Sequence, residues 1–263
     1  MPTVRRFTML AIAALLGFGI GCASREVAHA WGYHGPAGPE HWGGLAPAFA
    51  VARTGVEQSP IDIVSARVVP TALPMLRFAY AGAATLEVAH NGHTVQADLI
   101  AGASAITVGN QTYDVVQFHF HAPSEHTVDG KHFPAELHVV HKTASGALAV
   151  VGVLLVEGAS HTALAKLCTK GELPVAGGPA RKVDKFDLAS VLPRSRATYR
   201  YAGSLTTPPG PEGVAWIVLD EPVPVGADLL AALTQRFSGE SFPHGNRRPI
   251  QALGARVVHT EGE

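Results

Sequence analysis

Short segments in which apolar and polar residues alternate recur along the chain, and this period of two is typical of β-strands. Successive side chains of a strand point to opposite faces, so one face of each segment would meet a core. The apolar run at residues 147–156 has no polar face, which predicts a strand buried on both sides. The predicted strands cover residues 58–63, 85–90, 93–98, 112–121, 135–141, 147–156 and 213–219.

Turn and helix signals divide these strands. Asn91-Gly92 is a strong signal for a tight hairpin, and Asp129-Gly130 marks a turn between the strands at 112–121 and 135–141. The double proline Pro208-Pro209 predicts a loop over residues 203–209. The charged segment 182–187 is expected to be exposed to solvent. Helical patterns are few and cover residues 46–51, 162–167, 186–192 and 228–237.

Composition agrees with a strand-rich fold. The 28 glycines and 19 prolines favour many turns, and a hydrophobic content of 47% over 263 residues is enough for a sizeable core. We therefore expect a mostly β fold of the α+β type with few short helices, in a single domain over residues 31–263. The formal net charge of -1 gives no electrostatic basis for binding nucleic acid.

Residues 1–30 are expected to be an export signal. Arg5-Arg6 precede an apolar run from Met9 to Ile20, which is too short for a transmembrane span but suits a signal peptide. Cleavage is expected between about residues 22 and 30, which predicts a soluble protein in the periplasm or outside the cell. Lipidation of Cys22 is the alternative, because Ile20-Gly21-Cys22 resembles the end of a lipoprotein box. With Cys22 removed or lipidated, Cys168 has no partner, so no internal disulfide is expected.

Three histidines at strand spacing indicate a metal site. Period two puts His119 and His121 on one face of the strand at 112–121, and pairing with the strand at 135–141 would bring His138 to them. Three imidazoles without cysteine suit zinc and leave a fourth position open, which is typical of a catalytic site. Gln117 and Glu136 each stand two residues before a ligand, where they would accept a proton from its second ring nitrogen.

The chain resembles the alpha-class carbonic anhydrases, particularly their exported bacterial members. The resemblance rests on six motifs in order: residues 58–63 (QSPIDI), 91–93 (NGH), 117–125 (QFHFHAPSE), 136–141 (ELHVVH), 204–209 (SLTTPP) and 246–251 (NRRPIQ). It implies a large twisted, mainly antiparallel central sheet that carries a conical cavity with Zn2+ at its floor. It also implies reversible hydration of CO2 to bicarbonate and a proton.

The resemblance implies a role for each residue of the site. His119, His121 and His138 would bind zinc, and the backbone carbonyl of Asn246 would accept a hydrogen bond from His121. Thr206 would accept a hydrogen bond from a zinc hydroxide and donate one to Glu125. His93 would be the proton shuttle, where spacing alone suggests only a turn residue. The substrate pocket would be formed by Val140, Val150, Leu205, Thr207, Val214 and Trp216.

One departure and two alternatives accompany this resemblance. Exported relatives often carry a disulfide at positions that correspond to Ala52 and Gly210, so its absence raises the question of what holds the loop after Ser204. The spacing His119-x-His121-x-x-x-Glu125 also fits the first metal motif of cupins, which bind iron or manganese with a carboxylate ligand. The other alternative is a non-catalytic family member that serves as a binding module. Such proteins typically lose a metal histidine, and none is missing here.

Overall fold

The computed structural model describes residues 30–168 and 172–262. The expected export signal and the alternative lipid site at Cys22 lie outside the described residues. Within them, the architecture is one large sheet and one small sheet with few short helices. This arrangement confirms the expected mostly β, mainly antiparallel class.

The bounds of the elements, in chain order, are as follows. The strands are β1 (Asp62–Ile63), β2 (Val69–Thr71), β3 (Leu76–Ala79), β4 (Ala84–His90), β5 (Val95–Ala101), β6 (Ala105–Val108), β7 (Gln111–His121), β8 (Thr127–Val128), β9 (Lys131–His132), β10 (Ala135–Lys142), β11 (Leu148–Glu157), β12 (Arg181–Phe186), β13 (Thr198–Ser204), β14 (Glu212–Leu219), β15 (Val223–Val225) and β16 (His259–Glu261). The α-helices are α1 (Trp42–Leu45), α2 (Val51–Thr54), α3 (Thr162–Ala165) and α4 (Ala227–Arg236). Short 3₁₀ helices cover Gly35–Ala37, Pro47–Phe49, Ser65–Arg67 and Ala189–Val191.

The large sheet runs in the order β12-β4-β5-β7-β10-β11-β14-β13-β16-β2. Most neighbours are antiparallel, whereas β11 pairs in parallel with β14 and β16 pairs in parallel with β2. The expected pairing of the strands at 112–121 and 135–141 is present at its centre, where β10 pairs antiparallel with both β7 and β11. The small sheet joins β1, β8 and β9, and the predicted turn Asp129-Gly130 closes its β8–β9 hairpin.

Strand β11 separates the two halves of the core, which explains its unbroken apolar sequence. Val151 and Val153 belong to one buried cluster, with Phe118 and Phe120 of β7. Val150 and Leu154 face the other cluster, which includes Trp216 of β14. The predicted burial of this strand on both faces is therefore confirmed. Because Phe118 and Phe120 fill the first cluster, the alternate positions of β7 are left to carry polar side chains.

The hairpin between β4 and β5 forms at the predicted dipeptide. The Asn91 side-chain oxygen accepts hydrogen bonds from the backbone nitrogens of His93 and Thr94, at 3.0 and 2.9 Å. Gly92 has a φ of 96°, a left-handed conformation that glycine adopts without steric cost. The turn thereby fixes the position of His93 relative to β5.

Two segments differ from the expectation. Residues 182–187 were expected to be exposed to solvent, but Arg181–Phe186 form the edge strand β12, in which Val183 and Phe186 are buried. Their charged neighbours belong to the outer side of a sheet edge, where polar residues are common. The expected loop at 203–209 begins two residues later, because Thr198–Ser204 form β13 and pair with β14.

The helical predictions hold at α3, at the 3₁₀ helix Ala189–Val191 and at α4, whose buried residues are Leu229, Leu230 and Leu233. The segment 46–51 folds as the 3₁₀ helix Pro47–Phe49 followed by α2. Within residues 30–168 and 172–262, no helix combines the length and the apolar character that crossing a membrane requires.

Candidate metal centre

The pairing of β7 with β10 brings the three predicted histidines together. His119 lies directly opposite His138 in the antiparallel register, and His121 lies opposite Glu136. One ring nitrogen from each of His119, His121 and His138 lies within 4.8 Å of the others, and the site is largely buried. Period-two alternation on two adjacent strands therefore produces a cluster of three imidazoles, as the sequence predicts.

The second nitrogen of each imidazole has its own acceptor. His119 Nδ1 donates to Gln117 Oε1 at 2.8 Å, and His138 Nε2 donates to Glu136 Oε1 at 2.8 Å. His121 Nδ1 donates to the backbone oxygen of Asn246 at 2.6 Å. The nitrogens left for a metal are consequently His119 Nε2, His121 Nε2 and His138 Nδ1. A polar acceptor behind each ligand fixes the tautomer and the ring orientation that a metal site requires.

Burial keeps two of these imidazoles neutral. It lowers the pKa of His119 well below its usual value, and it lowers the pKa of His121 despite the nearby Glu125 carboxylate. Burial acts in the same direction on His138, but the Glu136 carboxylate outweighs it and raises the pKa of His138. Neutral imidazoles bind a cation without first releasing a proton.

Two buried polar atoms at the site have no hydrogen-bond partner: His121 Nε2 and Glu125 Oε2. These atoms lie 3.5 Å apart, and Glu125 Oε2 lies 3.9 Å from His138 Nδ1. Unpaired buried polar atoms are rare and costly in native proteins, so their orientation toward one point is informative. Three imidazole nitrogens that surround one point, with an unpaired carboxylate oxygen beside it, fit a zinc ion with a fourth position open.

Thr206 and Glu125 do not form the hydrogen bond expected between them. Glu125 Oε1 accepts from the backbone nitrogen of Arg248 at 2.8 Å, whereas Oε2 is turned toward His121 and His138. The attraction between a carboxylate and nearby imidazoles accounts for this orientation. Both side chains are buried, and their pairing remains a prediction.

His93 lies in the β4–β5 turn, with its ring stacked on Trp31. The two ring centroids are 3.6 Å apart and the planes differ by 8°. The side-chain amide of Asn246 donates to the backbone oxygen of His93 at 3.2 Å, which connects this turn to the segment behind His121. Burial lowers the pKa of His93. The residue is therefore held by an aromatic partner and a backbone contact outside the histidine cluster.

Five of the six predicted pocket residues meet in one place. Val150, Val214 and Trp216 belong to a single buried cluster against which Val140 and Leu205 pack. The Trp216 ring is 4.8 Å from the ring of His138, so the apolar cluster reaches the histidines. Thr207 is half-buried in the same loop as Leu205.

A second polar layer lies behind Glu136, and it was not identified from the sequence. His126 donates its backbone nitrogen to Glu136 Oε2 at 2.8 Å, and its ring nitrogen Nδ1 lies 2.7 Å from Glu136 Oε1. Its other ring nitrogen contacts the Tyr201 hydroxyl at 2.6 Å. Burial raises the pKa of Glu136, but His126 and His138 outweigh it and hold that pKa well below its usual value. The sequence offers one signal for this contact: His126 and Glu136 lie ten residues apart, on either side of the turn at Asp129-Gly130.

Two further residues near the site were missed. The Tyr33 hydroxyl is buried without a hydrogen-bond partner, and burial together with the nearby Glu125 raises its pKa. Arg248 is buried and holds Glu125 through its backbone nitrogen. Nothing in the local sequence pattern around Tyr33 links it to Glu125.

This fold and site define a class of β-sheet proteins with a site able to hold a metal: a large mixed sheet with three imidazoles on adjacent strands, a polar acceptor behind each and an apolar cluster beside them. The family model described as eukaryotic-type carbonic anhydrase matches residues 37–262. The chain belongs to this family, the alpha class of carbonic anhydrases, and its relatives are enzymes that interconvert carbon dioxide and bicarbonate.

Named relatives agree with this assignment. A carbonic anhydrase of Klebsiella pneumoniae is 42% identical over 254 residues, which cover 95% of this chain and 98% of the relative. A carbonic anhydrase of Pectobacterium carotovorum is 39% identical over 250 residues, with coverage of 95% and 98%. The alpha-carbonic anhydrase of Thermovibrio ammonificans, solved with sulfanilamide, has a TM-score of 0.79 and 39% identity, and the match covers 89% of this chain and 100% of that one.

Proposed function

We propose that this protein is a zinc-dependent carbonic anhydrase in which His119, His121 and His138 hold the metal. The observation that carries the proposal is the convergence of three imidazole nitrogens within 4.8 Å, each with its second nitrogen bound to a separate acceptor. When bound, zinc supplies a nucleophile from water near neutral pH, the effect for which carbonic anhydrases are the standard example. The remaining work belongs to this chain's own residues.

Thr206 is proposed to orient the attacking oxygen. The threonine hydroxyl would accept a hydrogen bond from the attacking oxygen. That bond fixes the orientation of the attacking oxygen, so that one of its lone pairs faces the substrate carbon. Glu125 is proposed to keep Thr206 in this accepting role by accepting a hydrogen bond from the threonine hydroxyl. The support is that both side chains are buried and that Glu125 keeps a free acceptor, since Oε1 is held by Arg248 and Oε2 has no partner.

His93 is proposed to move the released proton to solvent. An imidazole takes up and releases protons near neutrality, so it suits a step that must occur in both directions. The half-buried ring, stacked on Trp31 and outside the ligand cluster, supports a role through intervening water rather than as a ligand.

The apolar cluster beside the histidines is proposed to receive carbon dioxide. Carbon dioxide has no net charge or dipole, so a surface formed by Val140, Val150, Leu205, Val214 and Trp216 accepts it without the loss of hydrogen bonds. Thr207 is proposed to border this pocket at its polar side. Together these residues would form the wall of a conical cavity above the metal.

The cupin alternative has one observation in its favour, because Glu125 Oε2 faces His121 and His138. The family match over residues 37–262 and the complete set of three histidines favour the carbonic anhydrase instead. The same complete set argues against a non-catalytic binding module. Residues 31–263 are proposed to form the single catalytic domain, and residues 1–30 to direct export to the periplasm or the exterior.

Metal content and activity test the proposed function directly. We expect the purified protein to hold one zinc ion per chain and to hydrate carbon dioxide in a stopped-flow assay, with loss of activity on chelation and recovery with added zinc. His119→Ala should lose both the metal and the activity, whereas His34→Ala, at an exposed position, serves as the control. Bound iron or manganese with an oxygen-dependent reaction would support the cupin alternative and reject this proposal.

A further inference from the structure

The loop at residues 205–211, which carries Thr206, has no covalent link to the rest of the site. Cys168 is a free cysteine, and Ala52 and Gly210 occupy the positions of the bridge that exported relatives often carry. A Cβ atom placed on Gly210 would lie 3.3 Å from the Cβ of Ala52, so the two positions face each other closely. The loop therefore depends on other contacts in this place.

Those contacts begin at Glu212, directly after the loop. Glu212 Oε1 accepts from the backbone nitrogen of Glu57 at 2.7 Å and from the side-chain nitrogen of Gln58 at 3.0 Å. The absence of a side chain at Gly55 makes room for this carboxylate, because a Cβ there would lie 2.2 Å from Glu212 Oε1. Both donors belong to one short segment, so a single carboxylate fixes the loop's end to that segment.

Gln58 extends the connection on both sides. Its side-chain nitrogen also donates to the backbone oxygen of Gly210 at 3.1 Å, within the loop itself. Its side-chain oxygen accepts from Arg248 Nη1 at 2.8 Å. Arg248 further donates to the backbone oxygens of Ser59 at 2.9 Å and Ala52 at 2.7 Å. Gln58 and Arg248 are both buried, so competition from water for these bonds is limited.

The same arginine reaches the catalytic residues, since its backbone nitrogen holds Glu125 Oε1 at 2.8 Å. A continuous path of hydrogen bonds thus runs from the end of the Thr206 loop through Glu212, Gln58 and Arg248 to Glu125. Both proposed partners, Thr206 and Glu125, are attached to this path from opposite ends. Their separation is consequently set by side chains that touch neither zinc nor substrate.

We propose that Glu212, Gln58 and Arg248 form a non-covalent clamp that positions Thr206 against Glu125 and the metal, and that Glu212 is a positioning residue for carbon dioxide hydration. This inference rests on the proposed function, because it assigns a role relative to Thr206. Small displacements of an orienting group reduce rates strongly without changing the groups present. The clamp should therefore affect the attack on carbon dioxide more than metal binding or proton exit.

Glu212→Ala tests the clamp in the zinc-loaded enzyme. We expect kcat/KM for hydration in concentrated buffer to fall about tenfold, with one zinc per chain retained. Glu212→Gln keeps an oxygen that can accept both hydrogen bonds and should restore most of the rate. Glu57→Ala is the matched control, because it removes a neighbouring carboxylate but keeps the backbone nitrogen that the clamp uses.

A cross-link separates positioning from general stability. In the Glu212→Ala background, Ala52→Cys with Gly210→Cys places two cysteines whose Cβ separation is close to the ~3.5 to 4.5 Å of natural disulfides. Gly210 has a φ of 74°, so the reduced double variant in the otherwise native chain measures the strain of this substitution. Oxidation should recover kcat/KM in the Glu212→Ala background, and reduction of the same sample should abolish that recovery.

Two outcomes would overturn the clamp. The first is an unchanged kcat/KM for Glu212→Ala measured well below its unfolding temperature with zinc bound. The second is an oxidised cross-link that raises the unfolding temperature but does not recover the rate. Failure of the proposed function would appear differently, as a wild-type protein that binds zinc without hydrating carbon dioxide.

Discussion

At the scale of single residues, the second nitrogen of each histidine determines what the site can bind. Each imidazole donates one hydrogen bond, to Gln117, Glu136 or the carbonyl of Asn246, and its other nitrogen faces a common point. The ligands and their two side-chain acceptors were predictable, since all lie at period-two spacing on two strands. The hydrogen bond from Arg248 to Glu125 was not, because 123 residues separate the two positions.

His93 offers a residue-scale prediction about proton transfer. We expect His93→Ala to reduce kcat by about tenfold in weak buffer while kcat/KM stays near the wild-type value, because proton exit is separate from attack on carbon dioxide. Stopped-flow measurements across a series of imidazole concentrations would check this, with partial recovery at high imidazole. A variant that turns over equally fast in weak buffer would assign the shuttle to another group.

At the scale of elements, β10 serves the site with one face and the core with the other. Glu136, His138 and Val140 share the site face, whereas Val139 and His141 point the other way. His141 Nε2 lies 2.8 Å from the Tyr80 hydroxyl, and His141 Nδ1 lies 3.3 Å from the backbone oxygen of Ala149. Burial lowers the pKa of His141 to about 4, so this core histidine is neutral in the folded protein near pH 7.

This histidine predicts an acid-sensitive core. Between pH 6.5 and pH 4 the unfolded chain binds a proton at this position that the folded chain does not, so stability falls as the pH decreases. The contribution amounts to about 3 kcal/mol between pH 7 and pH 4. Urea unfolding of the metal-free protein at a series of pH values would measure it.

His141→Gln is the corresponding variant, since glutamine keeps polar atoms near Tyr80 but does not titrate. We expect its unfolding free energy to vary with pH by about 3 kcal/mol less than that of the native chain. His34→Gln, at an exposed position, should leave the pH dependence as it is. Identical pH profiles for His141→Gln and the native chain would contradict the assignment.

The strands that carry the histidines and most of the core were predictable at this scale, whereas several short or edge strands were not. Alternation identified β4, β5, β7, β10 and β14, and an unbroken apolar run identified β11, because each has one face or both faces in the core. Strand β12 is an edge strand, and its charged residues hide the buried Val183 and Phe186 from a pattern analysis. In β13, Arg200 forms an ion pair with the distant Glu261, a partner that the local pattern does not reveal.

At the scale of the whole molecule, the site is assembled from distant parts of the chain. Strands β7 and β10 supply the proposed ligands, the loop after β13 carries Thr206, and residues 246–248 hold His121 and Glu125 through hydrogen bonds. Sequence pattern predicted each segment but not the parallel pairing of β11 with β14. That order depends on packing between segments some 60 residues apart, which local periodicity does not encode.

This assembly predicts that the metal stabilises the whole fold. A ligand that binds only the native state adds stability by mass action, about 2.7 kcal/mol at a free concentration 100 times its dissociation constant. For a domain of this size we expect zinc to raise the unfolding midpoint by about 5 to 10 °C. Differential scanning calorimetry with and without chelator would measure the shift, and His119→Ala should abolish it. An unfolding midpoint of the native chain that does not change with zinc would exclude a site of this affinity.

The edge strand β12 also bears on how the molecule behaves in concentrated solution. Lys182, Asp184 and Lys185 are exposed along this edge, and Lys185 has a φ of 52° where the ladder to β4 shifts register. A kinked and charged border offers a poor template for an incoming strand. This edge of the sheet is therefore protected against edge-to-edge pairing between molecules. Substitutions that neutralise its charges are expected to increase aggregation during storage.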